Sequence, residues 1–146
     1  MKLETSRILT QLSEQERSKV EAELAEINGR KHIFEQQHQS SVEQTQQLNR
    51  QRDQAMRNRH SASLLQAFDT AFREQQNIQV AMLGAISALE QQKELILGRL
   101  AEAQRTHHTY DDLHQKAVRK QSRADDIKSQ RQLDDIVASR KSAQSV

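Results

Sequence analysis

A seven-residue repeat of apolar side chains between Leu65 and Leu113 constrains the fold more than any other feature of this chain. Its a positions are Leu65, Phe72, Gln79, Ile86, Lys93, Leu100 and His107, and its d positions are Phe68, Gln75, Met82, Leu89, Ile96, Ala103 and Tyr110. Most of these residues are apolar, and Leu83 and Leu97 are expected to widen the stripe at e. Alternating steps of three and four keep one side of a helix apolar, which is the pattern of a coiled-coil seam. A helix with one such stripe needs a partner.

The only long partner within the chain precedes this repeat. Between residues 20 and 55 a weaker seam has one row at Val20, Ile27, Phe34, Ser41, Leu48 and Ala55, and a second row at Leu24, Lys31, His38, Thr45 and Arg52. Lys31, His38 and Arg52 are expected to bury their stems and keep their polar ends in water. Upstream, an apolar helical face contains Leu3, Ile8, Leu9 and Leu12. We expect one helix to continue through Ser13, because no helix breaker lies there.

The composition agrees with a thin pair of helices. The 146 residues include no proline, and only 34% are hydrophobic and 3% aromatic, too few for a globular core of this length. Low hydrophobicity is also typical of disorder, but disordered chains usually lack sustained heptads. The few apolar residues here are regularly placed, which favours a linear core.

A short bend separates the two repeats. Apolar periodicity lapses between Arg57 and Ser63, and Ser63 with Gln66 matches a capping box. We therefore predict one helix at about 1–58, a bend at about 58–63 and a second helix at about 64–140. A short connection makes consecutive helices antiparallel, which places Phe34 opposite Leu89 and Val20 opposite Ala103. The predicted fold is all-α: a long two-helix antiparallel coiled-coil hairpin, a single domain over 1–146, with a C-terminal helical extension.

That extension, from Gln121 onward, is the candidate binding site. The first helix would run out opposite about residue 120, leaving an apolar series without cover from this chain: Ala124, Ile127, Leu133, Ile136 and Val137. Residues 116–146 carry 8 basic and 4 acidic groups, so this end is moderately basic. An uncovered apolar face on a basic helix is a candidate for binding another protein.

The sequence offers little for catalysis, metals or cofactors. His107, Asp111 and His114 share a helical face, but the two histidines are roughly 10 Å apart along the axis, too far to bind one ion, and we interpret them as seam residues. A two-helix rod lacks a dry pocket for nucleophilic catalysis, and no glycine-rich phosphate loop is present. We expect no enzyme activity, no metal and no cofactor.

Two clusters of basic residues raise the question of nucleic acid. The first contains Arg50, Arg52, Arg57 and Arg59, and the second contains Lys116, Arg119, Lys120 and Arg123. No aromatic side chain suitable for base stacking accompanies the second, and acidic residues interrupt the sequence after it, so solvated surface charge is the favoured interpretation. No apolar run approaches 18 residues and no signal peptide is evident, so we expect no membrane insertion and a cytoplasmic location.

The C-terminal stretch carries a family resemblance. Ser129-Gln-Arg-Gln-Leu-Asp-Asp135, followed by Ile136-Val-Ala and Arg140, resembles the Glu-Gln-Lys-Glu-Leu-Asp-Glu stretch that ends the FliJ family of flagellar export proteins. The injectisome counterparts, YscO and HrpO, are similar in size and in having two long helices. Phe68 and Phe72 also resemble an apolar pair that FliJ proteins carry just after the bend. Ser129 stands where the family has Glu, and the aromatics of the flagellar first helix are absent, which favours an injectisome protein.

The resemblance implies a non-catalytic central-stalk or adaptor protein of a bacterial type III export machine, peripheral at the inner membrane. Its implied partners are the export ATPase hexamer, the cytoplasmic domain of the export-gate membrane protein, and export chaperones. By this resemblance Phe68 and Phe72 face the gate, and the termini enter the ATPase ring. The partner-binding residues at that end are expected to be Ile127, Arg131, Leu133, Asp134, Asp135 and Ile136. The alternative is a generic coiled-coil scaffold or a nucleic-acid-associated rod, for which salt-sensitive retention on DNA is the discriminator.

Overall fold

Two long α-helices make up nearly all of the described chain. The computed structural model describes residues 2–58 and 61–144. Helix α1 spans Leu3–Arg57 and helix α2 spans Ala62–Gln144, and the described residues contain no strand. The two helices pack against each other, so the all-α prediction is confirmed.

The helix bounds differ from the prediction at both ends of α2. Helix α1 is continuous through Ser13, as expected. Helix α2 begins at Ala62. The carbonyl of Ser61 accepts the backbone N–H of Leu64 at 3.1 Å, so Ser61 is the N-cap residue of this helix. The predicted capping role of Ser63 is therefore wrong, since that residue lies in the first turn. Residues 59 and 60 of the predicted bend lie outside the described residues, and α2 continues to Gln144, beyond the predicted end near 140.

Contacts divide the chain into two units, which we describe separately. The second unit is Val20–Arg99, and the first comprises the described residues up to Lys19 and from Leu100 onward. In the second unit α1 and α2 pair in antiparallel order, because Glu23 binds Arg99, Lys31 binds Glu90 and Gln79 binds Thr45. The residue numbers in these pairs add up to between 121 and 124, close to the predicted register.

The second unit has a narrow apolar core. Val20, Ile27, Ala55, Leu89 and Ile96 are its buried apolar residues, and they belong to the predicted rows. Every a and d position from Leu65 to Ile96 is at least half-buried. Fully burying one Leu or Ile side chain contributes about 1.5–3 kcal/mol, so even a few such residues stabilise the pair substantially.

The predicted widening of the stripe at e is wrong. Leu83 and Leu97 are 53% and 43% exposed. Glu90 occupies the e position between them and reaches across to Lys31 on α1, so this row lies at the rim of the seam, where side chains meet water. In the opposite g row Leu64, Ala71 and Ala85 are half-buried, whereas Ile78 is exposed.

Hydrogen-bonded polar side chains interrupt the apolar core between Ser41 and Thr45. Ser41 is 3% exposed, and its hydroxyl lies 2.7 Å from the Gln75 side-chain oxygen. The Gln79 amide donates to Thr45 Oγ1 at 3.0 Å and to Ser41 Oγ at 3.3 Å. These bonds satisfy polar groups that would otherwise be costly to bury, and they tie two residues of α1 to two of α2 in one register.

Charged residues of the seam contact partners rather than ending only in water. The Lys31 ammonium binds the Glu90 carboxylate and lies 3.5 Å from Glu35. The bond to Glu90 raises the pKa of Lys31, and the bond to Lys31 lowers the pKa of Glu90. The stabilisation is therefore present between the ordinary pKa values of the two groups. It is lost in acid as pH falls through the lowered glutamate pKa, and in alkali as pH rises through the raised lysine pKa.

In the first unit the seam is polar, and the sequence analysis predicted its histidines on α2 but not its serines on α1. Ser6 and Ser13 are buried, at 0% and 7% exposure, whereas Leu3, Ile8 and Leu12 of the predicted apolar face are exposed. Ser6 Oγ lies 2.9 Å from His114 Nδ1, and Ser13 Oγ lies 3.0 Å from His107 Nδ1. The correction has a simple cause. The row through Val20 continues backward in steps of seven to Ser13 and Ser6, so these serines occupy the centre of the seam, while Leu9 beside them is half-buried.

In the described chain, neither α1 nor α2 contains a stretch that is long and apolar enough to cross a membrane.

The antiparallel pairing of the second unit is tested by the distance between two exposed residues, His32 on α1 and Gln91 on α2. We expect spin labels at these sites to lie within about 30 Å, because packed helix axes are 8–10 Å apart and each label adds several ångströms. In one uninterrupted helix the same residues would be roughly 90 Å apart. Doubly labelled protein diluted into unlabelled protein isolates the distance within one chain, and a separation above about 60 Å would reject the pairing.

Candidate partner-binding site

Phe68 and Phe72, near the start of α2, are part of the helix-helix packing. Both occupy seam positions and both are half-buried. The Arg52 guanidinium of α1 lies 5.0 Å from the centre of the Phe72 ring, a cation–π contact worth about 0.5–1 kcal/mol at a partly exposed site. Phe72 thus has an intrachain partner, and its remaining exposed surface is what another protein could contact.

The packing of Phe72 predicts a stability effect for its removal. Phe72→Ala is expected to lower the free energy of unfolding by roughly 1–3 kcal/mol, less than for a fully buried phenylalanine because the ring is half-exposed. Arg52→Gln, which removes the cation and leaves the ring, is the matched control and should cost at most about 1 kcal/mol. Urea unfolding measures both variants. A Phe72→Ala variant as stable as the parent would mean that the ring does not pack in solution.

Every residue from 118 to 144 of α2 is exposed, and we call this stretch the exposed segment. It follows Ala117, the last half-buried residue, and extends for roughly 40 Å at 1.5 Å per residue. Its large apolar side chains are about half exposed: Val118, Ile127, Leu133, Ile136 and Val137. Among the described residues, none covers them.

The structure does not bring the predicted site residues of this segment onto one face. Ile127 and Ile136 are nine residues apart, so they project from nearly opposite sides of the helix at about 100° per residue. Leu133, Ile136 and Val137 share one face. Val137 belongs to that face although the predicted binding set left it out.

The charged residues of the predicted set are exposed, and no ion pair joins them to one another in the described structure. Asp134 accepts a hydrogen bond from the Gln130 side chain at 3.3 Å. No ion pair joins it to Arg131 in the described structure, contrary to the pairing that their spacing allows. Asp135 is also exposed. These side chains present charges of both signs to solvent.

The second basic cluster consists of Lys116, Arg119, Lys120 and Arg123, and we call it the basic cluster from here on. All four side chains are exposed and line one shallow surface depression. Lys120 also lines an adjoining depression with Leu3, the first residue of α1, and with Lys2, which precedes it. The sequence shows the cluster by composition, but only helical geometry shows that its members share a face.

The histidines that were weighed as metal ligands are tied to α1. Besides its bond to Ser13, His107 places Nε2 3.1 Å from the Glu14 carboxylate. His114 bonds to Ser6. Within residues 2–58 and 61–144, no group of three or more potential ligands is placed to hold a metal ion.

Comparisons with family models, with curated proteins and with solved structures found no match to this chain.

Proposed function

We propose that this chain is a non-catalytic central-stalk or adaptor protein of a bacterial type III protein export machine, of the injectisome or flagellar kind. It is built as a long antiparallel coiled-coil hairpin with a C-terminal helical extension. In this role it contacts the export ATPase ring and the export gate, escorts export chaperones, and is peripheral to the inner membrane.

The observation that carries the proposal is the exposed segment. Two features coincide there: about seven helical turns lack intrachain cover, and residues 129–135 resemble the terminal stretch of FliJ proteins. Leaving several large apolar side chains half-exposed on one helix is costly unless a partner covers them. A segment of this length suits insertion into another protein.

The distribution of apolar residues around the helix supports a ring as the partner. A single partner helix would cover one face, and could not contact both Ile127 and Ile136. A helix inside a ring of subunits is contacted from all sides at once. Ile127 on one side of the helix and Ile136 on the opposite side then contact different subunits. Arg131, Asp134 and Asp135 offer charges of both signs to subunits whose conformations differ.

The proposed mechanism is mechanical. An asymmetric helical stalk in a six-fold ring stabilises a different conformation in each subunit according to the contacts that the stalk makes there, so it biases ATP turnover without taking part in the chemistry. Near the link between the helices, the exposed parts of Phe68 and Phe72 are available to the export gate.

Deleting residues 124–146 tests the proposal directly. Every buried and half-buried residue precedes 124, so the truncated chain is expected to keep its helix pairing and its thermal transition while losing stimulation of the cognate ATPase. Circular dichroism and ATP turnover are the two measurements. Full stimulation by the truncated protein would overturn the proposal. Salt-sensitive retention on DNA that disappears on truncation would favour the nucleic-acid-associated rod.

Two point variants sharpen this experiment. Ile127→Ser alters one side of the helix and Ile136→Ser the opposite side, and the ring geometry predicts that each reduces stimulation. Ser139→Ala, at another exposed position of the same segment, is the matched control. Loss confined to one of the two sides would indicate a partner on one face only.

A further inference from the structure

We propose that the basic cluster is a docking surface for an acidic helix of another protein, in which carboxylates recur over about two turns. This inference does not rest on the proposed function, since the cluster lies outside the residues that carry the family resemblance. The partner is defined here by its chemistry alone.

Helical spacing places the four cations together. Lys116, Arg119, Lys120 and Arg123 stand at i, i+3, i+4 and i+7, so their side chains are neighbours on one side of α2. The half-buried residues His114 and Ala117 face α1, and the cations lie at positions outside that seam. The cluster is therefore accessible in the folded chain.

The positive charges of the cluster are also not paired with carboxylates of the described chain. In the part of the chain that the structure describes, none of the four cations forms an ion pair. Other cations do find carboxylates, as Arg30 does with Glu26 at 2.7 Å and Arg99 with Glu23 at 2.6 Å. Four like charges within two turns repel one another, since like-charged pairs at these spacings destabilise a helix. An anionic partner would remove that cost.

The length of the cluster favours a short acidic partner over an extended polyanion. Asp112 lies four residues before Lys116, and Asp126 lies three residues after Arg123, so a carboxylate adjoins each end. Between them the cations cover roughly 10 Å along the helix axis. Duplex DNA carries about one charge per 1.7 Å without interruption and would bring phosphates against both aspartates. A bilayer surface is equally continuous.

The side chains themselves favour carboxylates. The two arginines present planar guanidinium groups that bind carboxylates through two parallel hydrogen bonds. Residues 116–144 contain no aromatic side chain, so bases of a single strand would have nothing to stack on. Lys2, which directly precedes α1, lines the adjoining depression with Lys120 and can supply a fifth cation.

The test uses the full chain and a defined probe: an alanine-rich helical peptide with glutamates at i, i+3, i+4 and i+7. A second peptide carries glutamines at those positions. In NMR titrations at low ionic strength, the acidic peptide is expected to shift the Arg119 and Arg123 side-chain Nε–H signals, and the glutamine peptide is not. Added salt should weaken the binding, because exposed charges are screened.

Two triple variants remove the same net charge from different places. The cluster variant is K116Q/R119Q/R123Q, and the control variant is K128Q/R140Q/K141Q. The first should weaken peptide binding by about tenfold and the second by about twofold or less. Equal weakening by the two variants would show that only net charge matters and would overturn the proposal. Tighter binding of short duplex DNA, or of phosphatidylglycerol vesicles, than of the acidic peptide would assign the surface to a different class of partner and overturn it too.

Discussion

The narrow seam between α1 and α2 is the constraint on which the rest of the structure depends. Each helix is mostly polar and can bury only two residues in seven, so neither has enough apolar surface to be stable alone in water. Within Val20–Arg99 the buried side chains are few, and each is correspondingly important. Beyond the point where α1 stops contacting α2, the second helix has no packing partner in the described chain. The exposed segment and its binding potential follow from that limit.

Polar side chains in the seam affect specificity more than they affect stability. An apolar stripe tolerates sliding by one heptad, whereas hydrogen bonds such as those of Ser41 with Gln75 and of Ser13 with His107 are lost if the register shifts. Buried polar positions in coiled coils set register at some cost in stability. Because such bonds occur in both units, α1 has one preferred alignment in each.

Much of the fold could be predicted from the sequence, and the errors have physical causes. The seam from Leu65 to Ile96 was predictable because burial follows a strict period. The polar seam at Ser6 and Ser13 was not, because serine carries no apolar signal of burial and only the seven-residue step from Val20 marks these positions. The exposure of Leu83 and Leu97 was not predictable, because the sequence does not show that the Lys31–Glu90 ion pair lies on their side of the seam. For the candidate site, exposure of Ile127, Leu133 and Ile136 was predictable from the lengths of the helices. Their separation around the helix needed explicit geometry.

Helix α2 is covered up to about Ala117 and uncovered beyond it. Amide hydrogen exchange of the isolated protein tests this most directly, because an unpacked helical segment opens locally while a packed one is protected by tertiary contacts. We expect amides of residues 125–140 to exchange about a hundredfold faster than those of residues 79–99, after normalisation for intrinsic rates. Equal protection in the two stretches would contradict it, since it would mean that something covers the exposed segment in the free protein.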